Sequence, residues 1–158
     1  MTGLSKAGGV ITLSLIVVLV FSFSSALYAV DDLLSKDIVV YKKSECTCCK
    51  KWVDYLKAHD YNVTVKTTRN VLAEKARLGV PEAVAACHTA VIDGYVVEGH
   101  VTVRDIKRLL LFRPDIKGIA VPDMPVGTPG MERGNAREPY NVMSFDEQGN
   151  VEVFVSHE

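Results

Sequence analysis

The sequence predicts an α/β domain: a mixed sheet flanked by helices, then a long Pro/Gly loop and an appended C-terminal β-hairpin. Three observations carry that expectation. Short β-branched and aromatic runs alternate with segments of helical periodicity. Asp93-Gly94 separates two such runs at hairpin spacing. Five of the six prolines fall between residues 114 and 139, outside every periodic segment.

The elements follow in order. Asp37 to Lys42 (DIVVYK) reads as a first strand. From Cys48 to Asp60, Trp52, Tyr55, Leu56 and, loosely, His59 repeat at i, i+3, i+4 and i+7, the stripe of an amphipathic helix. Tyr61 to Thr67 alternates as a second strand. Asn70 can cap a helix from Val71 to Leu78, closed by Gly79. Pro81 opens a short Ala-rich turn, Glu82 to Ala86, which ends at Cys87. His88 to Ile92 and Tyr95 to Glu98 form the hairpin about Asp93-Gly94. Thr102 and Asp105 have capping-box spacing, and the helix they start runs through Ile106, Leu109 and Leu110 and stops before Pro114. Residues 114 to 139 read as loop, and Tyr140 to Phe145 and Val151 to Ser156 as a final hairpin about Glu147 to Asn150. A strand entering a cysteine-bearing helix, followed by β-α-β-β-α, is the order of a thioredoxin-like domain, here an analogy of order and motif position. That domain is expected over residues 31 to 158.

Residues 1 to 29 differ. Lys6 is the only charged residue before Asp31, Val10 to Phe23 holds neither charge nor proline, and Ser24, Ser25, Ala26 and Ala29 follow. A positive start, a short apolar core and a small-residue end make a signal peptide, with cleavage after Ala26 or Ala29. The alternative, an uncleaved anchor, needs about 20 apolar residues, more than this run offers. Export, with no membrane attachment after cleavage, is the expectation. Composition is that of a globular chain, 48% hydrophobic and 23% charged, with formal net charge −1. No basic stripe is present, which argues against a nucleic-acid partner.

Three of the four cysteines, Cys46, Cys48 and Cys49, lie within four residues. In an oxidising compartment thiols tend to pair, but a staple stabilises most when it closes a long loop, and this spacing does not. The knot sits where a strand meets a helix N-terminus, whose N–H groups and dipole favour thiolate, and Lys50 and Lys51 add positive charge. Three readings compete: a dithiol–disulfide oxidoreductase using Cys46 and Cys49, a soft-metal site using all four sulfurs, and structural disulfides alone. Cys48 favours the metal. A redox dithiol gains nothing from a third thiol between its partners, whereas crowded thiolates can each serve more than one ion. Soft thiolates select Cu(I), Zn or Fe–S centres. Structural zinc takes two separated ligand pairs, so Cu(I) ranks first. Cys87 and His88, placed just before the third strand, would form the opposite wall; taken alone, Cys87 reads equally well as a core thiol. His100, Met124 and Met131 are further candidate ligands. For a lone histidine the bland reading is a satisfied edge residue, and for methionines in a Pro/Gly loop it is packing. His59 and His157 read as ordinary surface residues and Met143 as core.

The joint pattern Cys46-x-Cys48-Cys49-x-x-Trp52, Cys87-His88-Thr89-Ala90, Tyr95-x-x-Glu98-Gly99-His100-Val101 and Gly118-x-Ala120-Val121-Pro122-x-Met124-Pro125-x-Gly127-x-Pro129-Gly130-Met131 resembles the CopG-type copper-resistance family. The resemblance covers nearly all of the chain after the leader. It implies a periplasmic thioredoxin-like domain that binds copper ions through Cys46, Cys48, Cys49 and Cys87, with a multinuclear Cu(I) centre among the arrangements allowed. His88, His100, Met124 and Met131 match further family positions. It also implies a role in copper resistance, redox cycling of copper, and contact with other periplasmic copper-handling proteins. One departure from redox thioredoxin-like proteins matters: where they carry a proline before the third strand, this chain has Cys87-His88-Thr89. A thiol there favours metal over disulfide exchange.

Overall fold

The computed structural model describes residues 34–158, and Ser35–Glu158 form one compact unit. The leader expected over residues 1 to 29 lies outside the described residues. The strands are β1 (Asp37–Lys42), β2 (Asn62–Thr67), β3 (Thr89–Ile92), β4 (Tyr95–Gly99), β5 (Gly118–Val121), β6 (Tyr140–Phe145) and β7 (Val151–His157). The helices are α1 (Thr47–Ala58), α2 (Val71–Arg77) and α3 (Val103–Phe112), with a 3-10 turn at Glu82–Val84. The seven strands form one mixed sheet in the order β2-β1-β3-β4-β5-β6-β7.

Local sequence explains most of these elements. Asn70 caps α2 by accepting the Ala73 N–H at 3.1 Å, and Thr102 caps α3 by accepting that of Asp105 at 3.1 Å. Asp93 and Gly94 both take positive φ, 48° and 86°, the conformation a two-residue type I′ hairpin demands. β1 and β2 run parallel, as do β4 and β5. Parallel neighbours need a crossover; α1 supplies the first and α3 the second. Each helix buries one face, Cys49, Trp52, Val53 and Leu56 from α1 and Val103, Ile106, Leu109 and Leu110 from α3. Ile38, Val40, Ile92 and Ile119 of the sheet are buried as well.

One segment departs from the sequence reading. Residues 118 to 121, expected within the long loop, form β5, hydrogen-bonded between β4 and β6. Four residues buried throughout leave no alternation to detect, and Pro114 and Pro122 lie close on either side. The C-terminal hairpin is therefore continuous with the main sheet. Gly118 makes this insertion possible: a Cβ there would lie 2.2 Å from the Val96 carbonyl oxygen and 2.8 Å from the Phe145 ring. Gly118→Ala is expected to lower stability by about 1–3 kcal/mol through overpacking, read from the midpoint of urea unfolding.

Register decides what gathers at one end of the sheet. Tyr41 pairs with Thr89, Thr89 with Glu98, and Gly99 with Val121. The exit of β1, the entry to β3 and the exits of β4 and β5 therefore share that end. The segments leaving or entering there carry Cys46 to Cys49, Cys87-His88, His100, and Pro122 to Met124.

Candidate metal centre

The chain leaves β1 and turns into α1 at Cys46, the N-cap, whose sulfur accepts the Cys49 N–H at 3.3 Å. Cys46 and Cys49 are joined as a disulfide, with Cα atoms 5.3 Å apart, while Cys48 and Cys87 are free. Cys48 Sγ lies 3.5 Å from Cys46 Sγ and 3.9 Å from Cys87 Sγ. All four sulfurs lie within 4.8 Å of one another. Tertiary structure thus brings Cys87 to the knot. A disulfide sulfur is not a thiolate, so in this state Cys48 and Cys87 are the available soft ligands. Two-electron reduction adds Cys46 and Cys49.

A second group of donors shares Cys87. Its Sγ is 3.2 Å from His88 Nδ1 and 3.2 Å from His100 Nε2, and the three residues are also within ligand-sharing distance. His100 Nδ1 lies 2.7 Å from the Pro129 carbonyl oxygen. A carbonyl can only accept, so Nδ1 carries the proton and the Nε2 lone pair faces the sulfur, an orientation that suits metal-ligating histidines. His88 packs on Trp52, ring centroids 4.4 Å apart, and meets His100 edge-on at 5.0 Å. Trp52 is itself pinned by donating Nε1–H to the Val101 carbonyl at 2.8 Å. His88 Nε2 is buried without a hydrogen-bond partner among the described residues.

Electrostatics set the protonation states. Burial, then the neighbouring His100 and Lys75, pushes His88 well below the usual imidazole range, and burial also lowers His100. Both rings are neutral at neutral pH, the form that binds metal. Burial, then the adjacent Cys48 sulfur, pushes the Cys87 thiol up to about 12. A metal must therefore displace a proton from Cys87, and affinity should rise with pH. Only thiolate is nucleophilic. Alkylation of Cys87 by iodoacetamide, followed by peptide mass mapping, is expected to be slow at neutral pH and to accelerate as pH climbs towards about 12.

The Pro/Gly loop closes over this end. Gly130 is packed so tightly that a Cβ would lie 2.8 Å from the Cys48 carbonyl oxygen and 3.2 Å from His100 Nδ1. Its positive φ of 89° also suits glycine. Met131 follows directly and is half-buried. Met124, in a left-handed conformation after β5, is 38% exposed. Neither methionine has a described contact with the sulfur cluster. His59 is exposed and bonded through Nδ1 to the Tyr55 carbonyl, and His157, half-buried, meets Asp105 at 3.1 Å, so both lie outside the cluster. Sequence reasoning assigned no role to the Pro129 carbonyl, to Trp52 as the floor beneath His88, or to Glu98. For Glu98 a signal existed: one acidic residue inside the apolar strand Tyr95–Gly99.

A family model described as "Protein of unknown function, DUF411" matches residues 84–131, the stretch holding Cys87, His88, His100, Met124 and Met131. No curated protein sequence matches the chain. Among solved structures, "Copper resistance protein copG- Form 2" matches with TM-score 0.74 and 42% identity, over 78% of this chain and 99% of that one. "Copper resistance protein copG- Form 1" matches with TM-score 0.73 and 42% identity, over 78% and 98%. That identity over nearly the whole of those proteins, on one mixed sheet with one cysteine-centred end, means that the chain belongs to the CopG-type copper-resistance family.

Proposed function

We propose that this chain is an exported copper-binding protein that holds Cu(I) in a cysteine-thiolate site, serving copper resistance and homeostasis. The observation that carries the reading is the meeting of Cys46, Cys48, Cys49 and Cys87 sulfurs within 4.8 Å of one another. Thiolate softness selects Cu(I) over harder ions. Cys48 and Cys49 are adjacent and do not easily both face a single ion in relaxed geometry, which favours a small multinuclear arrangement. His88 and His100 extend the donor set from the Cys87 side, and Met124 and Met131 remain the thioether candidates of the covering loop. The apolar run near the N-terminus supports a periplasmic site of action, with copper ions as cargo and other periplasmic copper-handling proteins as partners. The β1-α1-β2 unit, followed by the β3-β4 hairpin and α3, supports the thioredoxin-like reading of the domain.

The test is anaerobic reconstitution of the reduced protein with Cu(I), followed by metal analysis. At least one tightly held ion per chain is expected, with loss of binding in Cys48→Ser. Less than one ion, or a Cys48→Ser variant that binds like the parent, would sink the reading. The same loaded protein, followed for Cu(I)-to-Cu(II) turnover, reports whether copper redox activity accompanies binding.

A second reading has its own support. The C-x-x-C pair Cys46 and Cys49 is disulfide-bonded at a helix start, the arrangement a thiol–disulfide oxidoreductase uses. Insulin reduction that needs Cys46 and Cys49 but tolerates Cys48→Ser and Cys87→Ser would make it the better account.

A further inference from the structure

Beneath the Cys87 wall lies a buried ion pair. Glu98 on β4 is fully buried and Lys75 on α2 is 5% exposed. The Lys75 ammonium donates to Glu98 Oε1 and, at 2.9 Å, to Thr89 Oγ1. Thr89 in turn donates to Glu98 Oε2 at 2.6 Å. A third donor to the carboxylate completes the set: the backbone N–H of Ala86 gives a 2.6 Å hydrogen bond to Glu98 Oε1.

A buried ion pair is a poor device for stability, because desolvation of both charges consumes most of the attraction. It does fix geometry, since a charged acceptor bonds N–H groups more strongly than a neutral one. The Ala86 bond shows what is being fixed. Ala86 is covalently next to Cys87, in the irregular stretch between the 3-10 turn and β3, where no sheet ladder holds the backbone. A second feature presses the same residue into the same place. Gly99 has φ of 72°, and a Cβ there would come within 2.8 Å of the Ala86 methyl. β4 thus grips Ala86 with the Glu98 carboxylate and vacates space for it at Gly99. One residue further on, the His88 carbonyl accepts the Gly99 N–H at 3.0 Å. Cys87 lies between two anchored residues, its sulfur held towards Cys48 and His100.

We infer that Glu98, with Lys75 as its counter-ion, is the positioning residue for the Cys87 side of the metal centre: its grip on the Ala86 N–H sets where the Cys87 sulfur lies. This rests on the copper reading for one of its two readouts and is independent of it for the other.

Two variants remove the grip from opposite sides. Ala86→Pro deletes the donor and leaves the ion pair intact. Ala85 has φ of −65° and ψ of 133°, the extended conformation a residue before proline requires. Lys75→Met/Glu98→Leu deletes the acceptor and replaces the pair by apolar side chains, a change that buried pairs tolerate well. Each variant is read for unfolding midpoint, for Cu(I) affinity against a chromogenic chelator, and for the rate of Cys87 alkylation relative to Cys48 in metal-free protein. The expected result is a loss of Cu(I) affinity of about 10–100-fold, the range seen when an outer-shell partner is removed. The relative alkylation rate of Cys87 should shift as well, and neither change should track the unfolding midpoint. A merely structural role predicts that affinity follows stability. Folded variants with parental affinity and parental alkylation ratio would overturn the inference, and should one variant fail to fold, the other carries the same reading. If the parent protein binds no Cu(I) yet the alkylation ratio shifts, the copper reading fails and the positioning role stands.

Discussion

Cys87→Ser is expected to cost more Cu(I) affinity than the ~10–100-fold that loss of an outer-shell partner costs, because it deletes a sulfur shared by both donor groups. Cys87 is the one cysteine outside the knot, and its sulfur touches Cys48 at 3.9 Å and both His88 and His100 at 3.2 Å. Serine keeps the size and a polar hydrogen for the imidazoles but offers a hard, weakly acidic oxygen that Cu(I) does not favour. The stability cost should stay within the ~0.5–3 kcal/mol typical of single substitutions. Competition with a chromogenic Cu(I) chelator measures the first quantity and urea unfolding the second. Unchanged affinity would mean that copper is held by the Cys46–Cys49 segment alone and that the meeting of the two walls is incidental.

Trp52→Ala should be the most damaging change to the fold that leaves every cysteine in place, lowering stability by about 3–5 kcal/mol. Trp52 is fully buried on α1, its ring supports His88, and its N–H satisfies the Val101 carbonyl where β4 hands over to α3. Removing it opens a large cavity directly beneath the centre and leaves a buried carbonyl unpaired. Trp52→Phe separates the two effects: it retains most of the volume and loses the hydrogen bond, for a smaller cost of about 1–3 kcal/mol. Urea unfolding monitored by circular dichroism measures both. Equal losses for Ala and Phe would assign the stabilisation to the hydrogen bond, and a negligible loss for Ala would refute the role given to Trp52.

The legible parts of this chain were those that local chemistry dictates. Asn70 and Thr102 announce helix starts because their side chains can satisfy N–H groups that a first turn leaves free. Asp93-Gly94 announces a hairpin because both residues tolerate positive φ. β5 was not legible. It is too short and too evenly buried to show a period, and what makes it a strand is space between β4 and β6, which Gly118 keeps open. The disulfide was half-legible: C-x-x-C spacing named Cys46 and Cys49 as a candidate dithiol, while the presence of Cys48 turned the reading towards metal.

By itself, the sequence determined the inventory: which thiols, imidazoles and thioethers exist, which helix start carries the cysteine knot, and which segments become helix or hairpin. Those properties depend on neighbours within a few residues. Tertiary structure alone decided that Cys87 reaches Cys48, that the Pro129 carbonyl turns the His100 lone pair towards sulfur, and that Glu98 holds Ala86. Each of these rests on the register of β1, β3 and β4. A slip of one residue would turn every side chain of the slipped strand to the other face of the sheet; the Asp93-Gly94 turn sets the β3–β4 register locally, whereas the register of β1 against β3 joins residues about fifty apart and is decided only in the folded sheet.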